Sequence, residues 1–152
     1  MSCDMQLRIV ASLLRRGKSL DNLSTGLTLL GMAFGLAHLL ITPPQPLFLV
    51  LSTAIILLGG IEKYYAVRVA FDADLFQAVA SGDAELTERT AALDQALVAL
   101  KFQPVDKAGR SWALRSQGAL KMLRQQMVFL AVQILVILGA ILIFPWFSSS
   151  AS

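Results

Sequence analysis

The stretch that decides the fold is Leu23–Ile41, LSTGLTLLGMAFGLAHLLI, followed by Thr42-Pro43-Pro44-Gln45-Pro46 and then by Leu47–Ile61, LFLVLSTAIILLGGI. Nineteen residues without a formal charge run into a proline-rich turn, and fifteen more run back to Glu62. About 20 helical residues cross the roughly 30 Å hydrocarbon core of a bilayer. Proline cannot continue a helix and biases its predecessor away from helical angles, whereas Pro46 suits a first helical position. The stretch reads as an antiparallel membrane hairpin, 23–61. A third uncharged run, Gln126–Phe144, gives a third span, placed at 126–147.

The rest of the composition agrees. The chain has 152 residues, 56% hydrophobic and 15% charged, with a mean hydropathy of +0.66. Those values belong to the membrane class. No strand-period pattern and no internal repeat is present. The expected fold class is therefore all-α: a polytopic protein with three transmembrane helices and a cytoplasmic helical bundle between the second and third. The first apolar run is too long for a signal-peptide core and ends without a small-residue cleavage site, so it is read as a retained span.

Charge sets the expected orientation. All 13 Lys and Arg lie in residues 1–22 or 62–125, and so do all ten acidic residues. The positive-inside rule then puts the N-terminus in the cytoplasm and the C-terminus outside, in a bacterial inner membrane. The expected organisation is a cytoplasmic amphipathic segment (1–22), the hairpin (23–61), a cytoplasmic helical insert (62–125), the third span (126–147) and an outer tail (148–152).

Within 1–22, Leu7, Val10, Ala11 and Leu14 recur at helical spacing, predicting an amphipathic helix over 5–18. Such a helix can lie on the inner leaflet, although ordinary positive-inside flanking accounts for its cations as well or better. Arg15, Arg16, Lys18, Lys63, Lys121 and Arg124 form the basic set expected at the membrane surface, among anionic headgroups. Tyr64 and Tyr65 suit the inner headgroup level.

The spans carry packing signals. Ser24, Thr28, Gly31, Gly35, His38 and Thr42 are spaced 4, 3, 4, 3, 4 and form one small-polar face, with Gly31 and Gly35 as a GxxxG. Ser52 and Gly59 are seven apart, as are Thr53 and Gly60. Gln126, Gln133 and Ala140 recur at sevens in the third span. In lipid, close backbone approach and interhelical hydrogen bonds drive association, so small and polar stripes mark contacts. Ser24, Thr28, Gly31, Gly35, His38, Gly59, Gln133 and Ala140 are the expected helix-packing residues. Whether these faces close within one chain or between chains is open at this level.

The insert reads as helix throughout. The spacing Tyr64, Val67, Phe71, Leu75, Ala78 carries the second span onward, or Asp72 and Asp74 start a new helix. Ser81-Gly82-Asp83 breaks the pattern, and Asp83 can cap a helix to about Lys101 whose stripe is Leu86, Thr90, Leu93, Leu97, Leu100. Phe102–Arg110 is a loop. A last helix starts near Ser111 or Trp112 and rises through Ser116, Leu120, Leu123, Met127 and Leu130 into the third span, which Pro145 and Trp146 end.

Motifs for chemistry are missing. One Cys and one His, Cys3 and His38, are too few for a zinc site, and a lone Cys makes no intrachain disulfide. No metal, cofactor or catalytic residue is expected. Residues 62–125 carry nine basic and eight acidic side chains, a net of +1 that does not suit nucleic acid despite a pI near 9.4. In plan the chain is similar to the small diacylglycerol and undecaprenol kinases, which join an amphipathic N-terminus to three spans. That resemblance implies interfacial acidic residues, of which only Glu62 is in place here. The leading expectation is a non-catalytic accessory or scaffold subunit whose partners are the lipid bilayer and other membrane subunits or itself. The alternative is a homo-oligomeric channel or small transporter component with Ser24, Thr28, His38 and Gln133 facing a wet path. A small lipid-modifying enzyme dependent on Glu62 comes third.

Overall fold

A computed structural model describes residues 3–41, 46–82, 84–102 and 109–149, with side chains described for 4–40 and up to Leu142 at the C-terminal end. The 42–45 turn, Asp83 as a cap, Pro104, and the side chains of Cys3, Pro145 and Trp146 lie outside the described residues, as do 150–152 of the tail.

Among the described residues there are five helices: α1 (Cys3–Arg15), α2 (Gly17–Ile41), α3 (Pro46–Ala80), α4 (Leu86–Ala99) and α5 (Trp112–Ser149). No strand occurs among the described residues. Three stretches, Asp4–Leu40, Pro46–Ala80 and Trp112–Leu142, are long and apolar enough to cross a membrane. Of the two readings of 64–78 the continuous one holds: α3 runs unbroken from Pro46 to Ala80, and Asp72 and Asp74 start no new helix. Helix α5 does not stop at Pro145 but continues to Ser149.

The chain divides into two compact units. The first comprises 1–17 and 68–123, the second 18–67 and 124–152. Helices α3 and α5 contribute to both.

The core of the first unit is built from Leu7, Ala11 and Leu14 of α1, Val69, Ala73, Phe76 and Val79 of α3, and Ala119 of α5. The amphipathic face of α1 is therefore covered by protein: Leu7, Ala11 and Leu14 are each at most 1% exposed. The expectation of an apolar face lying on lipid is corrected here, since amphipathicity shows that a face is buried and not what buries it. Phe76 meets Trp112 edge-on at 5.3 Å between centroids, and Trp112 Nε1 donates to Thr90 Oγ1 at 2.9 Å, joining α3, α5 and α4.

Asp94 of α4 is buried, although it lies beside the apolar stripe that the spacing picks out. It accepts from Arg115 Nη2 at 2.6 Å and from the Gly109 backbone N–H at 2.8 Å. Burial alone would raise its pKa. The Gly109 hydrogen bond and the Arg115 guanidinium outweigh that and hold the carboxyl below its ordinary value. Arg115 also lies over the Trp112 ring, 5.1 Å from its centroid, and donates from Nε to the Arg110 carbonyl. Gly109 has φ +75, a conformation only glycine adopts without strain.

Helix α4 ends in a Schellman motif. Phe102 N–H donates to Leu97 O at 2.9 Å and Lys101 N–H to Val98 O at 3.0 Å, with Lys101 at φ 59. No glycine stands at this position, so the chain turns here at the cost of a left-handed lysine.

Candidate functional site

The second unit brings α2, α3 and α5 together through small and polar side chains. Glycines set the α2–α3 contact. A Cβ added at Gly31 would meet Ile55 Cγ2 at 2.7 Å, and one at Gly35 would meet Ser52 Cβ and Oγ at 2.8 Å. A Cβ at Gly59 would overlap Thr28 Oγ1 and stand 3.0 Å from Thr28 Cβ. Gly60 has nothing within 4 Å, and Thr53 is exposed, so only the Ser52–Gly59 register of α3 faces α2. The GxxxG of α2 thus lies against α3 of the same chain.

Helix α5 closes the contact with glutamines. Gln133 is fully buried. Its Oε1 accepts from Ser24 Oγ at 2.9 Å, and its Nε2 donates to Thr28 Oγ1 at 2.9 Å and, more weakly, to the Ile55 carbonyl at 3.4 Å. Thr28 Oγ1 in turn donates to Ser24 O at 2.8 Å. One side chain therefore ties all three helices. Seven residues earlier, two helical turns back along α5, Gln126 Nε2 donates to Glu62 Oε1 at 2.7 Å. Glu62 and Gln126 are both 0% exposed. Buried polar groups require such partners, because an unsatisfied one costs roughly 1–3 kcal/mol.

The inward orientation of Glu62 is not what its neighbour in sequence suggests. Its neighbour Lys63 invites a local ion pair or a solvated edge position. Consecutive residues on a helix diverge by about 100°, however. Lys63 Nζ reaches Asp21 Oδ1 at 2.6 Å and Thr25 Oγ1 at 3.0 Å, on the exposed side. Glu62 turns inward, and its Oε2 has no hydrogen-bond partner. The inward face of α5 also differs from the stripe expected. Leu120 and Met127 are exposed, whereas Ala119, Gln126, Leu130 and Gln133 are buried. Leucine gains nothing from turning inward when lipid surrounds the helix, and the polar side chains lose if they turn outward.

The other singled-out residues are apart from this network. His38 is half-buried with its ring 4.5 Å from that of Phe48. Ala140, with Gly31, Phe34, Phe48 and Ser52, lines an apolar cavity of about 430 Å³. Arg15, Arg16, Lys18, Lys63, Lys121 and Arg124 are all exposed. Tyr65 stacks on Phe129 at 5.4 Å while Tyr64 is exposed. Among the described residues, no group of three or more His, Cys, Asp or Glu side chains could hold a metal ion. The sequence matches no protein-family model, no curated protein and no solved structure.

Proposed function

We propose that the chain is a non-catalytic subunit of a larger complex in a bacterial inner membrane, with its N-terminus and the insert in the cytoplasm and its C-terminus outside. The orientation rests on the confinement of every Lys and Arg to residues 1–22 and 62–125. The seams expected to hold partners are occupied inside the chain, by Ile55 on Gly31, Ser52 on Gly35 and Thr28 on Gly59. A partner must then use another surface.

The observation that carries the reading is the outward face of α1. While Leu7, Ala11 and Leu14 are buried, Met5, Ile9 and Leu13 repeat at every fourth position and remain 56%, 45% and 39% exposed. Ile9 and Val10 also border an open cleft of about 300 Å³ whose other wall is Trp112, Ala113 and Ser116. A helix apolar on two faces in a water-facing unit marks an interaction surface.

The test is native mass spectrometry of the tagged protein, extracted gently from its own membrane. Another polypeptide at fixed stoichiometry, lost from the Ile9→Ser/Leu13→Ser variant while helicity persists, is the expected result. A homo-oligomer alone would overturn the accessory reading and turn attention to a pore. Turnover or flux by the purified protein in liposomes would also refute it.

A further inference from the structure

We infer that Glu62 is a proton-binding site, carrying a proton on Oε2 at neutral pH in the contact between α3 and α5. The geometry requires a ligand at that atom. Oε1 is satisfied by Gln126 Nε2 at 2.7 Å, but Oε2 is buried without a donor. A carboxylate in this position would leave a concentrated negative charge out of water, which costs far more than a missing neutral hydrogen bond. The charged groups that act on Glu62 are Asp21 of α2 and Lys63 of α3 itself. They neutralise each other at 2.6 Å, so neither supplies a counter-charge. From α2 Ser24 also stands within hydrogen-bonding reach of the Glu62 carboxyl, but its single hydroxyl proton is donated to Gln133 Oε1 at 2.9 Å, and from α5 the facing group is the neutral amide of Gln126. A proton on Oε2 turns the buried charge into a neutral acid, whose desolvation costs far less.

The assignment does not depend on finding a partner subunit. It gives the second unit a state variable: with the proton bound, α3 and α5 hold a neutral hydrogen-bonded contact, and without it they enclose an unpaired charge. A buried acid at the inner edge of a span that binds and releases a proton couples helix packing to the proton concentration on that side.

The deciding experiment is infrared difference spectroscopy of the full chain in lipid at neutral pH, wild type minus Glu62→Gln. The glutamine keeps the shape and the contact with Gln126. The expected difference is a protonated-carboxyl C=O stretch present only in the wild type. A spectrum without that band overturns the proposal. Reaction with dicyclohexylcarbodiimide provides a second readout. A protonated acid adds across one C=N bond: the carboxyl oxygen bonds the central carbon and the proton passes to nitrogen. Acyl migration from oxygen to nitrogen then leaves a stable N-acylurea. One adduct of one reagent mass, mapped to Glu62 and absent from Glu62→Gln, supports the site. Labelling of the exposed Asp74 and Glu88 in preference to Glu62 counts against it. Raising the pH should loosen the wild type and leave Glu62→Gln unaffected, and equal pH sensitivity of the two would also refute it.

Discussion

Replacing Gly59 with alanine is the sharpest probe of the α2–α3 contact. The new methyl group would overlap Thr28 Oγ1 and come within 3.0 Å and 3.1 Å of Thr28 Cβ and Cγ2. Thr28 is short and β-branched, so it can move only by rotating χ1. Rotation carries Oγ1 away from Gln133 Nε2, now 2.9 Å distant, and leaves that amide with the long contact to Ile55 O. Overpacking costs about 1–3 kcal/mol. A lost interhelical hydrogen bond in a membrane adds about 0.6 kcal/mol and at most about 1.7. The better helix propensity of alanine returns up to about 1 kcal/mol. Steric clash therefore wins, and Gly59→Ala should destabilise by about 1–3 kcal/mol. The assay is reversible unfolding in mixed micelles of increasing denaturing-detergent fraction, run as a double-mutant cycle with Thr28→Ala. In that background Oγ1 and Cγ2 are gone, and the penalty should fall below about 1 kcal/mol, a coupling typical of residues in contact. Equal penalties in the two backgrounds would show that Gly59 does not face Thr28.

Three further outcomes are expected in the first unit. Asp94→Ala should cost about 3 kcal/mol, the low end for breaking a buried ion pair, because Arg115 keeps the Arg110 carbonyl and the Trp112 ring; thermal unfolding followed by circular dichroism measures it. Asp94 has a depressed folded pKa, so its contribution is fully present above the ordinary value of 3.8 and is lost as pH falls through the folded pKa; the gap between wild type and Asp94→Ala should close as the pH is taken below about 4, and a gap that widens on acidification would refute the sign. Lys101→Gly should stabilise by about 0.5–1 kcal/mol, since glycine relieves the left-handed strain and gives some of it back as chain entropy; a loss in melting temperature would mean that the φ of 59 at Lys101 is not strained.

The helices and the small-polar registers were legible from the sequence because both are periodic. Ser24, Thr28, Gly31 and Gly35 repeat at three and four, and Gln126 and Gln133 at seven, whatever they touch. What periodicity does not carry is the identity of the opposing surface. The stripe Leu7, Ala11, Leu14 reads the same whether lipid or Phe76 covers it. Along α5 the expected stripe holds only in part: Leu123 packs against the core and Leu130 is buried, but Leu120 and Met127 are exposed, and the usual inference from apolar to buried weakens when the surroundings are themselves apolar. The burial of Glu62 and Asp94 was illegible for another reason. Their partners, Gln126 and Arg115, are 64 and 21 residues away, and for Glu62 the nearest opposite charge in sequence, Lys63, faces elsewhere.

The reach of Gln133 has a consequence for biogenesis. Helices α2 and α3 leave the ribosome before α5 exists, and the acceptor for Ser24 Oγ and the donor for Glu62 both come from α5. The nascent hairpin is thus an unfinished object, with a hydroxyl and a carboxyl that lipid cannot satisfy. Until Gln126 and Gln133 arrive, that edge is open to capture by any insertase or chaperone offering an amide. A chain truncated before Trp112 would leave those two α5 contacts unmade, so the hairpin alone lacks the partners that the finished protein supplies.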